Sequence, residues 1–179
     1  MGKITTRPAR PEDALDIATI HVKTWQHAYQ GQIPDHYLSS LSIEARTKIW
    51  QGWLTNPRLR AFVAEIDGKV AGFCSVGKSG EPDADETSGE VYTIYVDSQT
   101  MNQGLGSALM DAGTAWLSRQ GFKVATLWVL ESNHQARRFY EHKGWAPDGK
   151  TRLEAIADFT LPEVRYAVVL PGSPDPIVR

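Results

Sequence analysis

The chain has 179 residues, with 41% hydrophobic and 22% charged side chains, and 19 basic against 21 acidic residues leave a net charge of −2. That composition fits one soluble globular domain, and it lacks the basic surplus of a nucleic-acid binder. No apolar run approaches the roughly 20 residues of a membrane span, and Met-Gly-Lys-Ile-Thr-Thr at the start has no apolar signal core. Gly2 and Thr6 fit a myristoylation pattern that is short and carries little weight alone. The one cysteine, Cys74, excludes an intramolecular disulfide and a cysteine zinc cluster. Within Val70-Ala71-Gly72-Phe73-Cys74 it is expected to be a buried small hydrophobe, in a cytoplasmic, reducing setting.

In chain order, Lys3 to Thr6 fits a strand, and Pro11-Glu12-Asp13 opens a helix carrying Ala14, Ile17, Ala18, His21 and Trp25 at helical spacing. A second helix is expected over Ile43 to Leu54, stopping before Asn56-Pro57. Arg60 to Ile66 and Lys69 to Val76 are strand-like, and Asp67-Gly68 between them is a type I′ hairpin signal. Lys78 to Ser88 looks like an unstructured acidic loop. Glu90 to Val96 is a strand, Gly104 to Gln120 a helix closed by Gly121, and Lys123 to Leu130 a central strand with little polarity on either face. A short helix follows from Asn133 to Lys143, ended by Gly144, and Val164 to Leu170 is the last strand. The order describes a mixed α/β domain over residues 1–170, with 171–179 as a frayed tail.

The segment richest in chemistry is Glu90-Val-Tyr-Thr-Ile-Tyr-Val-Asp-Ser-Gln-Thr-Met-Asn-Gln-Gly-Leu-Gly-Ser107. A strand runs into a glycine-containing loop, and the loop opens a helix. Gly104 and Gly106 permit a tight turn and a close backbone approach, and the N–H groups of Gln103 to Ser107 suit a phosphate. Gly-x-Gly alone serves equally as a strand-to-helix turn without a ligand. The loop lacks the Gly-Lys-Ser/Thr ending of a P-loop. Leu109 stands where a dinucleotide motif has its third glycine, and Val124 to Leu130 offers no acidic residue for a ribose.

A second segment, Asn133-His-Gln-Ala136-Arg-Arg-Phe139-Tyr140-Glu-His-Lys-Gly144-Trp145, follows in the order and separation of a known pair. With both segments the chain resembles the GNAT family of acetyl-CoA-dependent N-acetyltransferases. The family pattern is a Gln/Arg-x-x-Gly-x-Gly/Ala loop and then Asn-x-x-Ala-x-x-x-Tyr-x-x-x-Gly-Phe. Arg60 to about Gly149 is covered, and Arg165 and Tyr166 of the final strand fit as well. Two positions depart: Met101 replaces the usual Gln or Arg, and Asn102 stands where glycine is common. The resemblance implies the GNAT fold, a central mixed, mostly antiparallel sheet flanked by helices.

The resemblance also implies roles. Ile94, Tyr95 and Val96 would bind the pantetheine arm through backbone groups, the Ile94 N–H polarising the thioester carbonyl. Asn102, Gln103, Gly104, Leu105, Gly106 and Ser107 would hold the pyrophosphate, and Asn133 would touch the cofactor arm. The other reading of Asn133 is a helix N-cap, a task that Ser132 with Gln135 can take instead, and the cofactor role is favoured. Tyr140 would protonate the departing thiolate, or pack in the core with Ala136 and Phe139. Glu90, four residues before Ile94 on one strand face, is the candidate base, or else a solvated charge. Glu81, Asp83, Asp85 and Glu86 are a solvated loop or a lure for a cationic acceptor. Trp25, His27, Tyr29, Trp50 and Trp53 line an acceptor cleft or, for the most part, fill the core.

The function implied is transfer of an acetyl group from acetyl-CoA to a primary amine of a small molecule or peptide, by direct attack in a ternary complex. The alternative is an idle acyl-CoA-sensing module, and a further one is an interaction protein using its tryptophans. No metal, nucleic acid or membrane partner is expected; a homodimer is left open.

Overall fold

A computed structural model describes residues 2–172. Seven strands form one sheet: β1 (Ile4–Pro8), β2 (Leu59–Ile66), β3 (Lys69–Lys78), β4 (Ser88–Val96), β5 (Val124–Leu130), β6 (Ala146–Ile156) and β7 (Phe159–Val169). Their order is β1-β2-β3-β4-β5-β7-β6. β1 and β2 pair antiparallel, as do β5 with β7 and β7 with β6, whereas β4 and β5 run parallel. Five α-helices accompany them: α1 (Ala14–Ala28), α2 (Asp35–Ser40), α3 (Ile43–Leu54), α4 (Leu105–Arg119) and α5 (His134–His142). The expected mixed, mostly antiparallel sheet with helices is therefore present.

Contacts gather into two compact units, one of residues up to Val76 with Thr93–Gly113, the other of Gly77–Tyr92 with residues from Thr114 onward. In the first unit, Pro11–Asp13 form a 3-10 turn that leads into α1. Asp13 takes both terminal nitrogens of Arg7, at 2.7 and 2.9 Å, and the Arg10 N–H at 2.7 Å. Arg7 also reaches Glu65 at 2.8 Å, so one guanidinium ties β1 to β2 and to the start of α1. Ser42 caps α3 by accepting the Ala45 N–H. The apolar faces of α1 and α3 meet the sheet in a cluster of Ile17, Ala18, Ile20, Trp50, Val63 and Phe73. Both turn residues between β2 and β3 have positive φ, 50° at Asp67 and 80° at Gly68, as a type I′ turn requires.

In the second unit, β5 pairs with β7 along its whole length, Val124↔Val169 through Leu130↔Glu163. Gly89 of β4 faces Leu117 and Phe122, where an added Cβ would lie 2.9 Å from a Leu117 methyl. The parallel β4–β5 ladder consists of Ser88↔Val124, Gly89↔Ala125 and Glu90↔Thr126.

Three expectations need correction. Sequence patterning misses α2, whose six residues after Pro34 are too few to show a period. It also misses β6 and starts β7 five residues late, at Val164 instead of Phe159. Pro147 and Gly149 interrupt β6, a register shift lies between Pro147 and Thr151, and the turn to β7 uses Ala157 at φ 52° where glycine would have signalled it. Third, Asn133 itself caps α5, so the Ser132–Gln135 capping box does not start this helix. Of the tail expected at 171–179, Pro171 and Gly172 form a turn, and 173–179 lie outside the described residues.

Candidate active site

Of the residues singled out in the sequence, Ile94, Tyr95, Val96 and Asn102–Ser107 belong to the first unit. Glu90, Asn133 and Tyr140 belong to the second.

In the first unit, β4 ends at Val96, and the N–H of the next residue, Asp97, donates to Ala71 O at 2.8 Å. Its side chain accepts the Gln99 N–H and caps the short 3-10 turn Ser98–Thr100. Met101 is extended and partly exposed. Asn102 then has φ 61° and Gly104 φ 93°, two left-handed residues that swing the chain into α4. Asparagine is among the side chains that enter this region most readily, which accounts for its place in a position where the family often has glycine. The α4 ladder begins with Ala108 N–H to Gly104 O at 3.0 Å. The N–H groups of Leu105, Gly106 and Ser107 precede that bond and point out of the helix start, where an anion is favoured. The loop thus fits a phosphate group without help from the Met101 side chain.

Gly72 of β3 was not foreseen. A Cβ there would meet Tyr95 O at 3.0 Å, a Leu109 methyl at 3.1 Å and Val96 Cα at 3.4 Å. Glycine therefore lets α4 close onto the strand segment Tyr95–Val96. Cys74 is buried as expected, its thiol 3.3 Å from Leu109 O and pushed up to about 12 by burial.

The Tyr95 ring joins an aromatic group on α1. It stacks on His21 at 5.1 Å, and its hydroxyl accepts from Trp25 Nε1 at 3.0 Å. His21 Nδ1 accepts from Trp50 Nε1 at 3.3 Å, and burial, then the charge of Arg46, pushes His21 down to about 3. Of the five proposed cleft residues, Trp50 is fully buried and Tyr29 nearly so, whereas Trp25 is half-buried and His27 exposed. Trp53 packs edge-on against Trp50 and stays partly exposed. Tyr37, on the unforeseen α2, lies 6.4 Å from Trp25.

In the second unit, Glu90 is half-buried. One of its oxygens, Oε2, accepts from Ser79 Oγ at 3.1 Å and from the Gly80 N–H at 3.4 Å. Burial raises the Glu90 carboxyl above its ordinary value, Glu81 adds to the rise, and Ser79, Gly80 and Arg152 oppose it. Tyr92, further along β4, is pushed up to about 12 by burial and by Glu90.

The acidic loop is largely exposed, and its charges are tied to other parts of its unit. Glu81 accepts from Trp128 Nε1 at 2.9 Å and meets Arg152 at 3.4 Å. Asp83 receives Arg165 through two bonds of 2.8 Å and Lys150 through one of 2.6 Å, which hold its carboxyl well below the usual range. Asp85 ties Thr87 and Ser88, and Glu86 pairs with Lys78. Arg152 lies over the Trp128 ring at 4.3 Å and bonds Glu163 at 2.7 Å. Glu81, Asp83 and Glu86 each pair with a cation of the chain itself.

Asn133 Oδ1 accepts the Ala136 N–H at 3.1 Å. Tyr140 is buried, with its ring 5.5 Å from Phe139 and 6.0 Å from Tyr166. Among the described residues no three His, Cys, Asp or Glu side chains are grouped to hold a metal, and no helix is long and apolar enough to cross a membrane.

Residues 22–145 match the model of the Acetyltransferase (GNAT) family. The chain belongs to the GNAT acetyltransferase family. It is similar to the uncharacterized N-acetyltransferase YuaI of Bacillus subtilis, 35% identical over 173 residues that cover 96% of this chain and 94% of YuaI. It is 32% identical over 144 residues to a mycothiol acetyltransferase of Acidimicrobium ferrooxidans, covering 80% of this chain and 43% of that relative. Among solved structures, yncA of Salmonella typhimurium with acetyl-CoA shares the GNAT fold at a TM-score of 0.73 and 19% identity, over 98% of this chain and 99% of the other. The N-acetyltransferase PaiA of Thermoplasma acidophilum in complex with coenzyme A gives 0.70 and 16%, over 90% and 98%. GNAT members draw the acetyl group from acetyl-CoA, and this chain is an acetyltransferase of that class.

Proposed function

We propose that this GNAT enzyme moves the acetyl group to a primary amine of a small molecule or peptide, by direct attack within a ternary complex. The observation that carries the proposal is Glu90: a half-buried carboxyl, raised by burial, anchored through one oxygen, and four residues ahead of Ile94 in β4. An amine with a pKa of about 10 arrives as ammonium at neutral pH, and cannot attack until a base removes its proton. We assign that role to Glu90.

Acetyl-CoA supplies the acetyl group as a thioester. The leading N–H groups of α4, with Asn102 and Gln103 in the loop before it, hold the pyrophosphate. Backbone groups of Ile94, Tyr95 and Val96 take the pantetheine arm, and Asn133 takes part while capping α5. The Ile94 N–H would polarise the thioester carbonyl oxygen, where negative charge develops. As the new N–C bond forms and the C–S bond breaks, Glu90 keeps the proton from nitrogen and the Tyr140 hydroxyl gives one to sulfur. A phenol with a pKa of about 10 is a competent donor to a thiolate whose acid is near 8.5.

The experiment is a panel of primary amines with acetyl-CoA, following release of free thiol, with Glu90→Gln beside the parent. Amine-dependent thiol release is expected. In Glu90→Gln, kcat falls, the acidic limb of the pH–rate profile is lost, and acetyl-CoA affinity stays within about twofold. Coenzyme A binding without turnover on any amine would instead favour the sensing module, and a Glu90→Gln enzyme with the parent's profile would remove Glu90 as base.

A further inference from the structure

Thr126 Oγ1 is a buried side-chain oxygen without a hydrogen-bond partner, and Thr126 is 8% exposed. A buried hydroxyl without a partner is costly, so its presence calls for an explanation. Its place in the sheet supplies one. Thr126 stands directly across the parallel ladder from Glu90, on the last rung that β4 and β5 share. Residues facing each other across a ladder project from the same side of the sheet.

Glu90 shows the complementary feature. Both of its hydrogen bonds fall on Oε2, from Ser79 Oγ and the Gly80 N–H. Oε1 accepts no hydrogen bond among the described residues. An unengaged hydroxyl and an unengaged carboxylate oxygen thus occupy neighbouring positions on one side of the sheet.

We infer that Thr126 is a positioning residue for Glu90: its hydroxyl is the second donor to the carboxylate, received at Oε1 when Glu90 is ionised. The inference rests on Glu90 as base for its catalytic meaning, although the hydrogen bond itself does not. Ser79 and Gly80 fix one oxygen, and Thr126 orients the other, the one left to accept a proton. The charged groups around Glu90 are few. Glu81 comes from the adjoining loop and Arg152 from β6, with the Tyr92 phenol on β4 itself. Arg152 is already bonded to Glu163 and Glu81. A neutral donor on β5 therefore stabilises the ionised carboxylate where no cation bonds it directly.

The test uses the full chain with Thr126→Val, which keeps the shape and removes the hydroxyl, and Thr126→Ser, which keeps the hydroxyl. The Glu90 carboxyl carbon is titrated by NMR, and the pH–rate profile is measured with the best amine of the panel. Thr126→Val keeps the shape of the side chain and is expected to fold, with a modest loss of thermal stability above the Glu90 midpoint, where the ionised carboxylate loses a donor. Its Glu90 midpoint should rise by about half to one pH unit, since the ionised form loses a donor. The acidic limb should move up with it, so that kcat on that limb falls by about three- to tenfold with KM for acetyl-CoA unchanged. Thr126→Ser should restore both. An unchanged Glu90 midpoint in Thr126→Val overturns the inference, whatever the rates. A shifted midpoint with an unshifted rate profile upholds the hydrogen bond and removes Glu90 as base, so the two failures are told apart.

Discussion

Ser79 Oγ lies 3.1 Å from Glu90 Oε2 and donates to it. The same hydroxyl accepts the Glu81 N–H at 3.3 Å, so its own proton is turned toward the carboxylate. The bond joins the acidic loop to β4 and opposes the rise that burial imposes on Glu90.

Ser79→Ala removes that opposition. The Glu90 carboxyl should rise further, and a base with a raised pKa is ionised only at higher pH. The acidic limb of the rate profile should therefore move upward. KM for acetyl-CoA should stay within about twofold, because Ser79 is far along the chain from the pyrophosphate loop. A profile that superimposes on the parent's would separate Ser79 from the base.

Gly104 tests the loop. Its φ is 93°, and an added Cβ would meet nothing within 4 Å. The residue is glycine for its backbone conformation, then, and not to make room for the protein around it. Gly104→Ala should cost about 1 kcal/mol of stability through strain alone. The strained turn should misdirect the leading N–H groups of α4 and weaken acetyl-CoA binding several-fold, with kcat at saturation nearly unchanged. Calorimetry on the folded variant reads both effects. Parent affinity at reduced stability would mean that the loop conformation does not govern the cofactor.

Local chemistry made much of this fold legible. Asp67-Gly68 announced its hairpin, Asn56-Pro57 the end of α3, and Gly121 and Gly144, with φ near 90° and 83°, the ends of α4 and α5. Where a turn departs from its usual residues, the signal fails, as with Ala157 at the β6–β7 turn. Long-range pairing was not legible at all. Asp83 and Arg165 are 82 positions apart, and nothing near either one shows that the loop's charges are matched. The site divides in the same way. Glycines and the Asn133–Gly144 pattern are local and readable. Ser79 and Thr126 acquire their meaning only when strand register sets them beside Glu90.

His21 provides a test that needs no substrate. It is 6% exposed, accepts from Trp50 Nε1 at 3.3 Å, and packs against the Tyr95 ring. Nδ1 is the acceptor, so the ring is neutral and its proton is on Nε2. Burial, followed by the positive charge of Arg46, lowers it from 6.5 to about 3 in the folded protein. The unfolded chain binds that proton near pH 6.5, and the folded chain refuses it until about pH 3. Stability from this group is therefore complete above pH 6.5 and is lost as pH falls toward 3, by up to about 1.4 kcal/mol per pH unit. Between pH 7 and pH 4.5 the loss should reach roughly 2–3 kcal/mol. This window lies above the range in which a carboxylate with a lowered value, such as Asp13, begins to contribute. His21→Gln keeps an acceptor for Trp50 Nε1 and cannot titrate. The variant should be less stable than the parent at pH 7, having lost ring packing, yet its stability should fall less steeply toward pH 4.5. Urea unfolding of both proteins at pH 7, 6, 5 and 4.5 measures the difference. Parallel lines across that range would show that His21 takes up its proton in the folded state as readily as in the unfolded chain, and would contradict the buried neutral ring.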